Sequence, residues 1–297
     1  MAGNAQFSGR SRASVFESAR GSMRDLDISM KDKPMKYVSP VGALPKLVTS
    51  ATIVALALGL VPTDATRAQA AGVDPDAARA LKRMTDYVGT LQHFSVDTAS
   101  TLEVVLDTGQ KVQFTSGSRN TVQRPNKLRS ERVGDVISQS FYYDGRTLTV
   151  FNPEDGFYAT VPAPGTIDAM VDYARDSLDI VAPAGDLITI DAYDRLTADA
   201  TSGFVVGKSV VDGVRCDHLA FRSGAVDWQI WIEDGEKPLP RKYVITSLDI
   251  PQAPQFGQVM SNWSTDTAVN AEHFEFTPPS GSRAIRFLPV GAAGAQP

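Results

Sequence analysis

Cys216 and His218 are the two residues whose types and spacing most resemble a catalytic pair. They lie two positions apart in the segment VVDGVRCDHLAFR, and side chains alternate across a strand, so both would point to the same face. A thiolate beside an imidazole could serve a hydrolase as nucleophile and base. Nucleophilic cysteines usually lie at an exposed turn or a helix start, however, and a cysteine packed in a sheet is more common. We therefore favour a structural role for this pair and keep a hydrolase as the weaker alternative.

The remaining residues with catalytic or metal-binding chemistry form no recognisable motif. The histidines His93, His218 and His273 are far apart in the chain, without the spacing of a metal-binding helix. A single cysteine excludes an intramolecular disulfide and a cysteine-based zinc site. No nucleophile elbow, Walker loop or dinucleotide fingerprint is present. The sequence predicts no catalytic residue, no metal and no cofactor.

A row of carboxylates follows one predicted helix over residues 166–180. Asp168, Asp172, Asp176 and Asp179 fall on its polar side. Two of them could act as a general acid and base. Charged residues on the polar side of an amphipathic helix usually face solvent, and we expect that here.

The charge of the chain argues against nucleic acid as a partner. Residues 71–297 carry twenty Lys and Arg against twenty-nine Asp and Glu, which is a net charge of −9. A protein that binds a phosphate backbone needs the opposite balance.

An uncharged, mostly apolar run of fifteen residues lies at 47–61. It is short for a membrane span of about 20 residues, and the small residues of AQA precede Ala71. We interpret 47–70 as the apolar region and cleavage site of a signal peptide, cut near Ala70 and Ala71. An uncleaved anchor is the alternative. The mature protein would be periplasmic.

The polar stretch at 1–46 precedes that run. It has no periodic apolar stripe, so we expect a disordered extension, or a mis-assigned start with translation beginning at Met30 or Met35. Residues 71–297 contain no internal repeat and are predicted to form a single domain.

The elements that would position any site are mostly strands. Apolar residues at helical spacing predict helices over 75–91, 166–180 and 186–198. Period-two alternation between Gly-, Asn- and Asp-containing turns predicts two groups of antiparallel strands. The strands are expected at 94–106, 111–123, 127–133, 136–143, 146–152, 157–161, 204–211, 214–222, 226–233, 241–250, 256–263 and 273–276.

The charged segment EDGEKPLP after residue 232 could be a catalytic loop or a turn. It separates two alternating runs, Gly235 suits a positive φ, and Pro238 and Pro240 block ladder pairing. We interpret it as the connection of a hairpin.

A sheet of about ten strands has a large apolar face, and two or three short helices are few to cover it. Incomplete cover would leave an apolar pocket. The alternative is that the helices fill the sheet and nothing binds. From alternation and helical spacing, the predicted lining is Leu148, Val150, Ile167, Met170, Val171, Leu178, Val226, Trp228, Ile230, Ile232, Val244 and Leu248.

Several segments, in order and spacing, resemble the periplasmic lipoprotein-carrier superfamily, most closely the DUF2092 family of predicted periplasmic proteins. They are RPNKLRSE (124–131), YYDGRTLTVFNPEDGFYA (142–159), VVDGVRCDHLAFR (210–222), DWQIWIEDGEKPLPRKYVIT (227–246) and FEFTPPSG (274–281). The resemblance implies a mainly β (α+β) fold, an unclosed antiparallel β-barrel of about eleven strands whose helices form a lid over an apolar cavity. The chain departs from the carriers in lacking a lipobox and in carrying a long helical insert.

Together these features predict an exported, non-catalytic carrier. Its ligand would be a lipid, an acyl chain or a lipoprotein held in the cavity. The alternative is an interaction module on the same fold that senses envelope stress by binding an envelope protein, for which an acidic surface would suit a basic partner.

Overall fold

A computed structural model of the protein describes residues 72–265 and 269–287. The predicted extension at 1–46 and the predicted signal peptide at 47–70 lie outside the described residues. Within the described ranges, no helix is both long enough and apolar enough to cross a membrane.

The described residues form one sheet of thirteen strands, in the spatial order β1-β8-β9-β10-β11-β12-β2-β3-β4-β5-β6-β7-β13. Long strands pair antiparallel, and two short strands, β1 and β13, add parallel pairs at the two ends. The predicted mainly β, unclosed antiparallel architecture is confirmed. The strands are β1 Gly72–Val73, β2 His93–Val105, β3 Lys111–Gln123, β4 Lys127–Gly134, β5 Ser138–Tyr143, β6 Thr147–Asn152, β7 Phe157–Pro162, β8 Ala200–Val211, β9 Val214–Ser223, β10 Val226–Glu233, β11 Pro240–Ser247, β12 Gln255–Ser264 and β13 Arg283–Ala284.

One long-range pairing joins the two strand groups. β12 pairs antiparallel with β2, from Phe256 opposite Leu102 to Met260 opposite Thr98. The groups β2–β7 and β8–β12 therefore form one continuous sheet. The chain between them, residues 163–199, is called the helical insert.

The described residues contain three α-helices, and the first two begin at capping side chains. They are α1 (Pro75–Thr90), α2 (Ile167–Leu178) and α3 (Ala192–Thr197). The Asp74 side chain accepts from the backbone N–H of Asp76 at 2.7 Å, so it caps α1 as predicted. Thr166 caps α2 in the same way, through the N–H of Ala169.

Two predicted elements differ in the structure. The predicted helix at 186–198 is split into a 3₁₀ turn, Gly185–Ile188, and the short α3. The predicted strand at 273–276 is wrong, because Ala271–Phe274 is a 3₁₀ turn. It belongs to a C-terminal strap, residues 270–285.

The strap lies against the face of the sheet opposite the helical insert. The Phe276 ring packs among the rings of Tyr142, Phe151 and Tyr158, at centroid distances of 5.2, 5.3 and 5.1 Å. Phe274, which precedes it by two residues, is fully buried. These aromatic contacts hold the strap in place.

The face that packs against the helices is called the inner face. Two apolar clusters fill it. The first joins β2 and β9–β12 to α1 and α3, and the second joins β2, β3, β5 and β6 to α2. The half-buried Trp263 on β12 contacts both clusters. The first cluster consists of Ala77, Leu81, Met84, Val96, Leu187, Leu196, Leu219, Phe221, Val226, Trp228, Ile230, Ile232, Tyr243, Ile245, Phe256 and Met260.

The charged segment between β10 and β11 is a turn, as predicted. The backbone N–H of Glu233 donates to the carbonyl oxygen of Leu239 at 2.9 Å, and Gly235 has a φ of 131°. Arg241 forms an ion pair with Glu233 across the hairpin, at 2.5 Å. The pair of Glu233 and Arg241 links the two strands of the hairpin.

Candidate ligand-binding site

The structure places nine of the predicted lining residues in the two inner clusters. Val226, Trp228, Ile230 and Ile232 belong to the first cluster. Leu148, Ile167 and Met170 belong to the second, with Val171 and Leu178 packed against it. Val150 is half-buried on β6, two positions from Leu148. The sequence grouped these residues around one cavity, whereas the structure divides them between two halves of the sheet.

The predicted inward direction of Val244 and Leu248 is wrong. Trp228 lies opposite Ile245 in the β10–β11 pair, so Ile245 is the inward-facing residue. Val244 packs instead with Cys216 and Trp231 on the outer face. Leu248 lies past the end of β11 and is 43% exposed. Alternation could not decide the face, because Tyr243, Val244 and Ile245 are all apolar.

An aromatic stack at the centre of the first cluster was missed. The rings of Phe221 and Trp228 lie 4.1 Å apart and nearly parallel, and Tyr243 meets Trp228 edge-on at 6.0 Å. The indole N–H of Trp228 donates to the Ser223 hydroxyl at 3.3 Å. The alternation Leu219, Phe221 on β9 was the signal that could have identified the inner side of that strand.

A hollow of about 470 Å³ opens at the end of this cluster. Its walls are the C-terminal end of α3 with the residues after it, and the turn between β9 and β10. Leu196 and Val226 line it and are each 2% exposed, and both belong to the first cluster. Arg195 and Asp199 supply charge at its rim. The hollow has the size of a small-molecule pocket, with an apolar floor and a polar edge.

Of the predicted lining residues, only Val226 lines this hollow. Trp228 lies two positions further along β10 and on the same side, inside the core. The others are packed within the two clusters, apart from half-buried Val150 and the two misassigned residues Val244 and Leu248. In the described residues the inner face is thus filled by side chains, and the hollow lies at its margin.

Arg195 of α3 ties the helical insert together. Its guanidinium pairs with the Asp172 carboxylate of α2, and its Nε donates to Asp191 at 2.5 Å. The bond to Asp172 raises the pKa of Arg195 above its usual value. Arg175 adds a second tie, donating to Asp186 at 2.6 Å.

Of the four carboxylates predicted to face solvent, Asp176 and Asp179 are exposed, whereas Asp168 and Asp172 are half-buried and hydrogen-bonded. Asp168 accepts from the backbone N–H of Ile190 at 3.0 Å, and Asp172 accepts from Arg195. These oxygens hold α2 against the rest of the insert. Asp172 thus pairs with a charged guanidinium, and Asp168 bonds to the backbone, both within the insert.

Arg124 and Tyr143 anchor the insert to the sheet. The Arg124 side chain is 7% exposed and donates to the carbonyl oxygens of Ile188, Leu91 and Val88, at 2.8, 3.1 and 3.4 Å. Burial lowers the pKa of Arg124. The Tyr143 hydroxyl donates to the Pro164 carbonyl, and burial raises the pKa of this tyrosine to about 12.

Cys216 and His218 share the outer face but have separate partners. Cys216 is fully buried, its thiol donates to the Val214 carbonyl, and burial raises its pKa. The His218 ring stacks on Trp231 at 4.0 Å, and its Nε2 lies 2.9 Å from the amide oxygen of Gln229. A raised thiol pKa disfavours the nucleophilic thiolate. The pair is packed as part of the sheet.

The described ranges contain no group of three or more His, Cys, Asp and Glu side chains placed to hold a metal ion.

A model of one protein family, described as predicted periplasmic protein (DUF2092), matches residues 77–288. Among curated proteins nothing matches.

Solved structures give distant likenesses. An uncharacterized conserved protein from Thermus thermophilus shares 11% identity at a TM-score of 0.42, covering 71% of this chain and 99% of its own. LprF from Mycobacterium bovis shares 14% identity at a TM-score of 0.42, with coverage of 71% and 99%. The Mycobacterium tuberculosis lipoprotein LppX shares 12% at a TM-score of 0.38, with coverage of 67% and 99%.

Proposed function

Because the chain belongs to the DUF2092 family of predicted periplasmic proteins, we propose that it is an exported, non-catalytic carrier for an apolar ligand. The ligand would be a lipid, an acyl chain or the acyl part of a lipoprotein. It would bind between the inner face of the sheet and the helical insert.

The observation that carries this proposal is the position of the hollow. It opens directly onto Leu196 and Val226, which are part of the cluster around Trp228. An acyl chain that passed the charged rim would meet the apolar floor formed by these two residues. Each methylene buried would stabilise the complex by about 0.8 kcal/mol.

The helical insert is suited to act as the lid. Ile167 and Met170 of α2 and Leu196 of α3 cover the inner face, so the insert must move for a longer chain to be enclosed. Its internal ties are ion pairs whose carboxylates are partly exposed, Asp172 by 43% and Asp191 by 48%. Such pairs lie within the insert and contribute little individually, so the cost of opening is set by the apolar contacts and by the bonds that Arg124 and Tyr143 make to the insert.

The proposed path begins at the hollow and follows the inner face. The lining would be formed by the ten predicted residues that remain on that side, and by Leu196, Phe221 and Tyr243. Lid movement would separate α2 and α3 from the sheet. No chemical step is needed for this function.

Native mass spectrometry with organic extraction tests the proposal. The protein would be purified from a host that exports it, weighed intact, and weighed again after extraction. A bound mass that is released by the solvent and identified as a lipid or acyl species is the expected result. A protein that carries no apolar ligand, and takes up none from vesicles of bacterial phospholipid, would contradict it.

A further inference from the structure

Arg132 is the only charged side chain that the described strands β2–β5 direct to the inner face. Leu128 packs against the second inner cluster, and Arg132 lies four positions further along β4, so both side chains point to the same side. Arg132 lies opposite Ser118 of β3 and Gln139 of β5. The inward positions of β2, β3 and β5 carry no Asp, Glu, Lys or Arg. One positive charge thus stands alone on this part of the inner face.

The guanidinium of Arg132 has donors that the fold does not use. Its Nε donates to the Ser116 hydroxyl at 3.2 Å. In the part of the chain that the structure describes, its two Nη atoms have no hydrogen-bond or ion-pair partner. Arg119, on the outer face of the adjacent strand, instead pairs with Asp97 at 3.0 Å. The remaining N–H groups of Arg132 are available to an external acceptor.

This placement is unfavourable unless an anion joins the guanidinium. Arg132 is half-buried, and burial lowers its pKa with no carboxylate of the described residues opposing the effect. A guanidinium nevertheless stays charged at neutral pH. A charge that is partly removed from water needs a partner. An anion on the inner face would therefore be stabilised beside Arg132.

Short side chains surround the guanidinium. Ser100, Ser116 and Gly134 lie opposite one another across β2, β3 and β4, on the side to which Arg132 points. Each of the three is half-buried, so this row is still accessible from the inner side. A serine hydroxyl can also donate a hydrogen bond to an anion. The surroundings of Arg132 thus suit a compact polar group.

Apolar side chains continue from this polar patch toward the helical insert. Phe141 is the diagonal neighbour of Arg132 across the β4–β5 pair, and it lies opposite Val150 of β6. Both are half-buried. Leu148, two positions from Val150, belongs to the second cluster together with Met170 of α2. A chain of methylenes that starts beside Arg132 would therefore meet apolar surface on its way to the insert.

We propose that Arg132 binds the anionic head group of an amphiphilic ligand, a carboxylate or a phosphate whose acyl chain lies under the helical insert. This inference rests on the proposed carrier function and specifies its ligand class. The planar fork of guanidinium donors matches two oxygens of such a head group.

Isothermal titration calorimetry with dodecanoate, dodecyl phosphate, methyl dodecanoate and inorganic phosphate tests the proposal. The three amphiphiles share a chain length and differ in head group, and the ester is neutral. We expect at least one anionic amphiphile to bind the wild type about tenfold more tightly than the ester. The tighter of the two anions identifies the head group.

Arg132→Gln should remove this preference by weakening the anionic amphiphile about tenfold, while binding of the ester stays unchanged. Arg119→Gln is the matched control, because Arg119 is exposed on the outer face of the adjacent strand, and it should change neither affinity. Equal binding of the ester and both anions, or equal losses in the two variants, would overturn the head-group assignment and leave the carrier proposal standing. Failure of all three amphiphiles to bind would overturn both. Inorganic phosphate that binds as tightly as the amphiphiles, and is lost in Arg132→Gln, would identify a site for free anions and also overturn the assignment.

Thermal unfolding without added ligand gives an independent test. Arg132→Met keeps most of the side-chain volume and removes a half-buried charge that lacks a partner in the described residues. We expect its Tm to equal or exceed that of the wild type. A lower Tm would show that Arg132 supports the fold, and would overturn its assignment to a ligand.

Discussion

The guanidinium of Arg124 donates to the carbonyl oxygen of Ile188 at 2.8 Å, across 64 positions of the chain. The same side chain bonds to the carbonyl oxygen of Leu91, just past the end of α1. One buried arginine thus connects β3, α1 and the helical insert. Its positive charge is balanced by carbonyl oxygens at two helix ends, where the partial charge is negative.

Arg124→Met should destabilise the protein by about 2–4 kcal/mol. The substitution keeps most of the volume but removes the side-chain donor from the carbonyl oxygens of Leu91 and Ile188, each at a cost of about 1–3 kcal/mol. The Val88 carbonyl oxygen still accepts from the backbone N–H of Leu91. Urea denaturation measures the loss. Arg146→Met is the control, because Arg146 is exposed and its side chain has no comparable role. Equal denaturation midpoints for the two variants would show that Arg124 does not anchor the insert.

Arg195→Met should loosen the helical insert with little effect on the sheet. It removes the pairs with Asp172 and Asp191, which we discount to about 1 kcal/mol because those carboxylates are partly exposed. We expect amide exchange in residues 167–197 to rise about fivefold, and that of β2 and β3 to stay unchanged. Arg79→Met, which breaks a fully surface pair on α1, should change neither. Unchanged amide exchange in residues 167–197 of Arg195→Met would mean that apolar contacts alone hold the insert.

Ala198→Trp should block entry to the proposed path. Ala198 is exposed at the rim of the hollow, so an indole there can fill the space without disturbing the core. We expect binding of a fluorescent fatty acid to weaken about tenfold, with thermal stability unchanged. Ala271→Trp, on the strap, is the matched exposed control. If both variants bind the probe as the wild type does, the hollow is not the entrance.

Stability should fall as the pH is lowered from neutral toward 5. Burial lowers the pKa of both His218 and His273, with smaller contributions from Lys242 and Arg129. Below their usual pKa of about 6.5 the unfolded chain binds more protons than the folded one. The two neutral histidines therefore contribute their full stabilisation above that pH. This contribution is lost as the pH falls toward their lower pKa values in the folded protein. Urea denaturation at several pH values measures the free energy of unfolding, which should vary less with pH in His218→Gln than in the wild type. Identical pH dependence of the two proteins would exclude His218 as a cause.

Phe276→Ala should release the C-terminal strap. The ring is half-buried among three aromatic side chains, so we expect a loss of about 1–3 kcal/mol and faster proteolysis within residues 270–285. Limited proteolysis with mass spectrometry locates the cut. Ile285→Ala, at a position that is 52% exposed, provides the comparison. Equal cleavage of the two variants would assign the strap's stability to other contacts.

The sequence predicted most of the secondary structure because its signals are local. Asp74 and Pro75 mark the start of α1, and Gly235 with two prolines marks the turn between β10 and β11. Alternation on β10 correctly placed Trp228 and Ile230 on the inner face. A strand's face can be predicted when only one of its two alternating sets is apolar.

The sequence by itself determined the long strands and the α1 and α2 helices, because each depends on neighbours a few positions away, and its composition determined the acidic charge. The tertiary structure alone decided the inward face of β11, where Tyr243, Val244 and Ile245 are all apolar and only the pairing with Trp228 selects Ile245. It also decided the hollow between Leu196 and Val226, which lie thirty positions apart, and the tie from Arg124 to Ile188. These contacts join residues that are far apart in the sequence, and only the folded sheet brings them together. A local sequence pattern carries no information about them.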